Sequence, residues 1–154
     1  TALTGATVIA TDMKEDAMAR AAERGAITVP GGPDQVERIR EITGGRGVDA
    51  AFDFVGATPT IKTAQASMAQ GGRLTVVGIA GGVTEWSFFS TPYESTMTNT
   101  YWGTIEDLYE VVAMYRAGQI TPDVERYAMD DALEAYRKLE AGELSGRAVV
   151  VPHA

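Results

Sequence analysis

Thr7-Val8-Ile9-Ala10-Thr11-Asp12 is the stretch on which the fold turns. A short apolar and β-branched run reads as a buried strand and ends on a carboxylate. Residues 15–24, rich in Ala, Met, Glu and Arg, then read as a helix that stops at Gly25, a residue suited to the left-handed position after a helix end. Working outward, the same alternation recurs. Ile27-Thr28-Val29 is a second strand, Pro30-Gly31-Gly32 a turn, and Pro33 suits the first position of a helix whose Val36, Ile39 and Ile42 line one face until Gly44-Gly45. Residues 48–54 read as a third strand. Thr58 is expected as N-cap and Pro59 as first residue of a helix on which Ile61, Ala64 and Met68 share a face and which Gly71-Gly72 closes.

Residues 73–79 (Arg-Leu-Thr-Val-Val-Gly-Ile) carry the strongest strand pattern in the chain. From 83 to 101 there is no helical period, and Trp86, Phe88, Phe89, Tyr93 and Tyr101 lie among Thr and Ser, which favours edge strands and loops. A helix resumes over 104–117, with Thr104 and Asp107 in capping-box spacing and Ile105, Leu108, Val112 and Tyr115 expected to face inward. A strand over 124–128, a helix over 131–140, Gly142 and a strand over 148–151 complete the order. Strands and helices alternating between Gly and Pro punctuation predict an α/β fold with a parallel sheet.

The 154 residues, 45% of them hydrophobic, suffice for one domain with a core. A net charge of −8, from 13 Lys and Arg against 21 Asp and Glu, argues against nucleic acid or an anionic membrane as partner. Without cysteine, and with His153 as the single histidine, there is no disulfide, thiolate metal site, Ser/His/Asp constellation or histidine metal cluster. No apolar run approaches the roughly 18 residues of a membrane span and no secretory signal opens the chain, so a soluble, cytoplasmic protein is expected. Thr1 stands close to the apolar run of residues 6–10, and this start reads as a cut. No G-K-[ST] occurs, which excludes a P-loop here.

Asp12 is the most informative single residue. In a dinucleotide-binding unit, an acid at the end of this strand accepts hydrogen bonds from the adenosine ribose hydroxyls and repels the 2′-phosphate of NADP, which points to NAD. The competing reading is a helix N-cap. The dinucleotide motif also needs a glycine-rich turn about 20 residues before the acid. Eleven residues precede Asp12, so the first strand, the phosphate turn and most of the first helix are expected upstream of Thr1. Gly45-Arg46-Gly47-Val48-Asp49-Ala50 fits G-x-G-x-x-A by letters, but it follows a helix and opens a strand, the reverse of the required context.

Asp53-Phe54-Val55-Gly56 and Val76-Val77-Gly78-Ile79 lie at the C-terminal ends of expected strands, beyond which ligands bind in doubly wound sheets. Gly56 and Gly78 either admit a flat ring or ribose to the backbone or simply turn the chain. Tyr101-Trp102-Gly103 either walls a hydrophobic pocket or forms a buried aromatic cluster or subunit contact. Arg147 either pairs with a phosphate or is an exposed loop arginine. Glu106, Asp107, Glu110, Asp130, Asp131, Glu134 and Glu140 read as solvated helix faces and caps.

Together, Thr7 to Asp12, Glu23-Arg24-Gly25-Ala26, Gly44-Gly45-Arg46-Gly47-Val48-Asp49, Asp53-Phe54-Val55-Gly56, residues 73–79, Tyr101-Trp102-Gly103 and Gly146-Arg147 resemble, in order, the later part of medium-chain, zinc-dependent alcohol dehydrogenases, and most of all bacterial NAD-dependent secondary alcohol dehydrogenases. The resemblance spans essentially the whole chain. It implies a Rossmann-like doubly wound parallel sheet without its first strand and Gly-rich turn, so that residues 1–154 form a partial NAD-binding domain with the catalytic zinc domain absent. By position, Asp12 resembles the ribose-binding acid, and Phe54 and Val55 resemble the residues flanking adenosine and ribose. Val77, Gly78 and Ile79 resemble the segment whose backbone meets the nicotinamide carboxamide. Tyr101, Trp102 and the adjoining Gly103 resemble the segment beside the nicotinamide ring and substrate pocket, and Arg147 resembles the arginine that reaches the pyrophosphate.

The resemblance further implies a homo-oligomer, a dimer joined through residues 83–100, and an alcohol or ketone substrate. The Zn2+ of the full-length enzyme has no ligands in this chain. Where many relatives carry Lys or Arg five positions beyond the ribose acid, this chain has Ala17, with Lys14 nearer. A zinc-free quinone or enone reductase of the same superfamily, and a non-catalytic NAD-binding or dimerisation module, are the alternative readings.

Overall fold

The computed structural model describes residues 5–152, so His153 lies outside the described residues. Helices and strands alternate, the strand pairs are parallel, and the chain divides into two compact units, residues 1–102 and 103–154. Among the described residues no helix is long and apolar enough to cross a membrane.

The first unit contains β1 (Ile9–Asp12), α1 (Glu15–Glu23), β2 (Ile27–Pro30), α2 (Gln35–Ile42), β3 (Val48–Asp53), α3 (Thr58–Ser67), β4 (Met68–Val76) and β5 (Thr96–Asn99). β1 pairs with β2, from Ile9 opposite Ile27 to Asp12 opposite Pro30. A separate sheet has the order β3-β4-β5. The expected sheet is therefore present in two pieces. The core lies on the three-stranded piece, where Ile61, Met68, Leu74 and Val76 are buried and Ala51, Ala64 and Met97 pack against them.

The helix ends follow local chemistry. After α1, Gly25 has φ 86°, its N–H donates to the Ala22 carbonyl at 2.9 Å, and the Ala26 N–H donates to the Ala21 carbonyl at 3.0 Å. These are the paired bonds of a left-handed helix terminus, as expected from Gly25. Other boundaries shift. Asp34, not Pro33, immediately precedes α2. Ala57 is the N-cap of α3 and Thr58 its first residue; Thr60, at the third helical position, accepts the Ala57 N–H on its Oγ1 at 3.1 Å, the bond that reaches back from inside the helix. Met68 leaves the helix with extended backbone (ψ 148°) and opens β4. Gly71-Gly72 thus lies inside a strand, at an irregularity where the register passes from Val48 opposite Met68 to Ala50 opposite Arg73.

The second unit contains α4 (Ile105–Arg116), β6 (Val124–Ala128), a 3-10 turn (Met129–Asp131), α5 (Ala132–Ala141) and β7 (Arg147–Val151), with β6 and β7 paired in parallel. The capping box of α4 forms: the Asp107 N–H donates to Thr104 Oγ1 at 3.1 Å and the Thr104 N–H to Asp107 Oδ2 at 2.7 Å. The inward orientation expected of its apolar face does not hold. Ile105, Leu108, Val112 and Tyr115 are 67%, 61%, 37% and 56% exposed, a coherent stripe that is left open.

Thr104→Ala removes the acceptor for the Asp107 N–H and is expected to destabilise this unit by about 1 kcal/mol, read from urea unfolding of the full-length protein. The two Thr104 donors hold the Asp107 carboxyl below the usual value of 3.8. A depressed folded value means that this contribution is present above the ordinary carboxylate range and is lost as pH falls through the lowered value.

Candidate functional site

In the three-stranded sheet the strands run parallel, so the segments that follow β3, β4 and β5 leave from the same end. Phe54 and Val55 follow β3, Val77, Gly78 and Ile79 follow β4, and Tyr101 and Trp102 come shortly after β5. Phe54, Val55, Ile79, Tyr101 and Trp102 are open to solvent, while Val77 and Gly78 are half-buried. Phe54 is 74% exposed, Ile79 94%, Tyr101 86% and Trp102 82%. The Tyr101 and Trp102 rings meet edge to face at 5.5 Å, and Trp102 has φ 60°, a left-handed backbone unusual for a large side chain. Neither ring is buried within this chain.

Asp12 ends β1 and is exposed. Its Oδ1 accepts the Lys14 N–H at 2.9 Å, a local turn bond, while Lys14 itself occupies the N-cap position of α1. The reading of Asp12 as helix N-cap is therefore displaced by two residues. Oδ2 has no protein partner among the described residues.

The loops after β3 and β4 are bound to one another along their whole length. The Asp53 carbonyl accepts the N–H groups of Val77 at 2.8 Å and Gly78 at 3.0 Å. The Val55 carbonyl accepts the Ala80 N–H at 3.2 Å, the Gly56 carbonyl the Gly82 N–H at 2.8 Å, and Thr58 Oγ1 the Val83 N–H at 3.0 Å. The contact is backbone on backbone. A Cβ at Gly56 would strike the Gly78 carbonyl, one at Gly78 would strike the Val55 backbone, and one at Gly82 would strike Ala57 and Thr58. The absence of side chains at Gly56 and Gly78 thus serves this mutual approach, a use that lies between the two roles weighed for them from sequence.

Beneath the loops sits Asp53, 5% exposed. Its Oδ1 accepts the N–H groups of Val55 at 2.9 Å and Gly56 at 3.1 Å, and Thr60 Oγ1 donates to its Oδ2 at 2.8 Å. Sequence reasoning placed this residue at the strand end but gave it no role. The available signal was an acid closing an otherwise apolar strand, where a carboxylate persists only if fully hydrogen-bonded.

The second unit holds Gly103 and Arg147. Gly103 precedes the α4 capping box, and Arg147 opens β7 opposite Val124. Gly146, with φ 117°, lies so close to Asp123 that a Cβ would strike the Asp123 carbonyl, and the Arg147 N–H donates to that carbonyl at 2.9 Å. Glu125 ties the preceding loop down: Oε1 accepts the Ser145 N–H at 2.7 Å and Oε2 accepts the Tyr127 hydroxyl at 2.8 Å, which together lower the Glu125 carboxyl pKa. The Arg147 side chain is exposed on this anchored turn.

Two open hollows, of about 600 and 670 Å3, are lined by α2 with its flanking turns and by Gln70 with residues 86–95. Neither contains a residue of the expected site. Among the described residues, no group of three or more His, Asp or Glu side chains stands together as a metal cage.

Residues 1–117 match the family described as zinc-binding dehydrogenase. The NAD-dependent alcohol dehydrogenase of Sulfolobus acidocaldarius is 31% identical over 97% of this chain and 44% of its own length. The D-arabinose 1-dehydrogenase (NADP(+)) of Saccharolobus solfataricus is 30% identical over 86% of this chain and 38% of its own. The crystal structure of the alcohol dehydrogenase from Aeropyrum pernix superposes with a TM-score of 0.86 at 33% identity, over 98% of this chain and 44% of that one. The chain spans less than half the length of these relatives, and with a match running from residue 1 to 117 it belongs to the zinc-binding dehydrogenase family.

Proposed function

We propose that this chain is the larger part of the cofactor domain of an NAD-dependent, zinc-type alcohol dehydrogenase, which transfers hydride between an alcohol and NAD. The observation that carries the reading is Asp12, an exposed carboxylate at the C-terminal end of a parallel strand, one of whose oxygens has no partner among the described residues. Sheet order supports it. The pieces β2-β1 and β3-β4-β5 become the doubly wound order 3-2-1-4-5-6 when one strand, supplied from upstream, joins them. The preceding turn would then supply the pyrophosphate site. Residues 54, 55, 77–79 and 101–103 face the remainder of the dinucleotide on this reading, with Arg147 toward its phosphates.

Asp12 favours NAD over NADP through its charge, although one relative carries NADP in its name. Zinc, when bound in such an enzyme, polarises the alcohol oxygen as a Lewis acid. The donor groups here do not fit it, since the chain has no thiolate and its described acids form no cage, so zinc is assigned to residues outside this chain. Residues 83–100 are proposed to join two copies: β5 is an edge strand, and Phe88, Phe89 and Tyr93 form an exposed aromatic group with ring separations of 5.1 and 5.4 Å.

The test is steady-state turnover by the full-length protein on a panel of small primary and secondary alcohols. The expected result is NADH formation that a zinc chelator abolishes. NADPH-dependent quinone or enone reduction that withstands the chelator would overturn the reading in favour of a zinc-free reductase.

A further inference from the structure

We infer that Asp53 is a positioning residue which fuses the loops after β3 and β4 into one rigid platform, so that the adenosine-facing and nicotinamide-facing halves of the site are placed jointly. The inference rests on the cofactor reading of those loops and extends it to how they act together. One residue touches both, the first loop through its side chain and the second through its main chain. Its carboxylate fixes the N–H groups of Val55 and Gly56, its carbonyl fixes those of Val77 and Gly78, and Thr60 anchors its second oxygen to the start of α3. Beyond it the loops continue in contact through Val55 with Ala80, Gly56 with Gly82 and Thr58 with Val83. With three glycines set against the opposite backbone, neither loop can shift without carrying the other.

The chemistry at Asp53 separates positioning from charge. An asparagine there keeps a carbonyl oxygen for Val55 and Gly56, and the Thr60 hydroxyl can rotate to accept from the new amide. Alanine leaves two buried or half-buried N–H groups without an acceptor. Gly82 offers an independent lever. It touches the first loop but belongs to none of the segments assigned to the cofactor, and its Cβ would act as a wedge. Gly81, with φ 75° and open space around it, isolates the effect of backbone strain.

The experiment measures dissociation constants of NAD and of ADP-ribose, which lacks nicotinamide, by calorimetry on the full-length protein, well below the melting temperature of each variant. Asp53→Ala and Gly82→Ala are each expected to weaken both ligands by about tenfold or more, while Asp53→Asn and Gly81→Ala stay within about threefold of wild type. A purely stabilising role for Asp53 predicts a lower melting temperature with unchanged constants, and that result would overturn the inference. So would weakening of NAD by Gly82→Ala with ADP-ribose unaffected, since the loops would then act separately. Failure of the wild-type protein to bind either ligand would remove the cofactor reading itself, and the inference with it.

Discussion

Asp12→Ala in the full-length protein is expected to lower affinity for NAD by about 10- to 100-fold, the range given by losing hydrogen bonds to a charged acceptor at about 1.5–3 kcal/mol. Asp12 is exposed, so water competes for the ribose hydroxyls and the lower half of the range is expected. Affinity for NADP is expected to hold or rise, because removing the carboxylate also removes its repulsion of the 2′-phosphate, and the ratio between the two cofactors therefore moves further than either constant.

The turn bond from the Lys14 N–H to Asp12 complicates a single substitution, since alanine removes it as well. Asp12→Asn keeps an acceptor for that N–H while deleting the charge. If charge selects the cofactor, asparagine relaxes discrimination against NADP as alanine does. If it retains wild-type discrimination, the local turn rather than the charge is what matters. Unchanged NAD affinity in Asp12→Ala, measured by titration calorimetry, would remove the ribose assignment.

The strands and helices were legible because their signals are local: apolar runs of strand length, and glycine or proline between them. Gly25 and the Thr104–Asp107 box met expectation for the same reason, each depending on neighbours within a few residues. What stayed hidden depends on residues distant in sequence or on backbone atoms. At the start of α3 the Thr60 hydroxyl is held by Asp53 and Ala57, and the Thr58 hydroxyl accepts from Val83 instead of capping the helix. Periodicity identifies the stripe of Ile105, Leu108, Val112 and Tyr115 but does not say what covers it, and in this chain the stripe is open. Apart from the Thr60 hydroxyl, the partners of Asp53 are main-chain groups, which leave no residue-type signature. Gly56, Gly78 and Gly82 likewise answer to a backbone across the gap between two loops.

The 154 residues on their own are expected to bind NAD at least about 100-fold more weakly than the full-length protein, as loss of two or more charge-assisted hydrogen bonds to the pyrophosphate implies. Every cofactor contact proposed here lies on the ribose, the adenine or the nicotinamide, apart from Arg147. The pyrophosphate carries the formal charge and draws on backbone N–H groups at a helix N-terminus. The sheet points the same way. β1 pairs with β2 alone and β3 with β4 alone among the described residues, so the strand joining them and the turn that follows it belong together in the proposed order. An unpaired edge at the centre of a sheet also leaves N–H and C=O groups costly to bury. Circular dichroism alongside the titration separates the two causes: folded chain without binding identifies the missing turn, and unfolded chain identifies the missing strand. Micromolar binding by the isolated chain would place the phosphate site within these residues and overturn the assignment of the turn to an upstream segment.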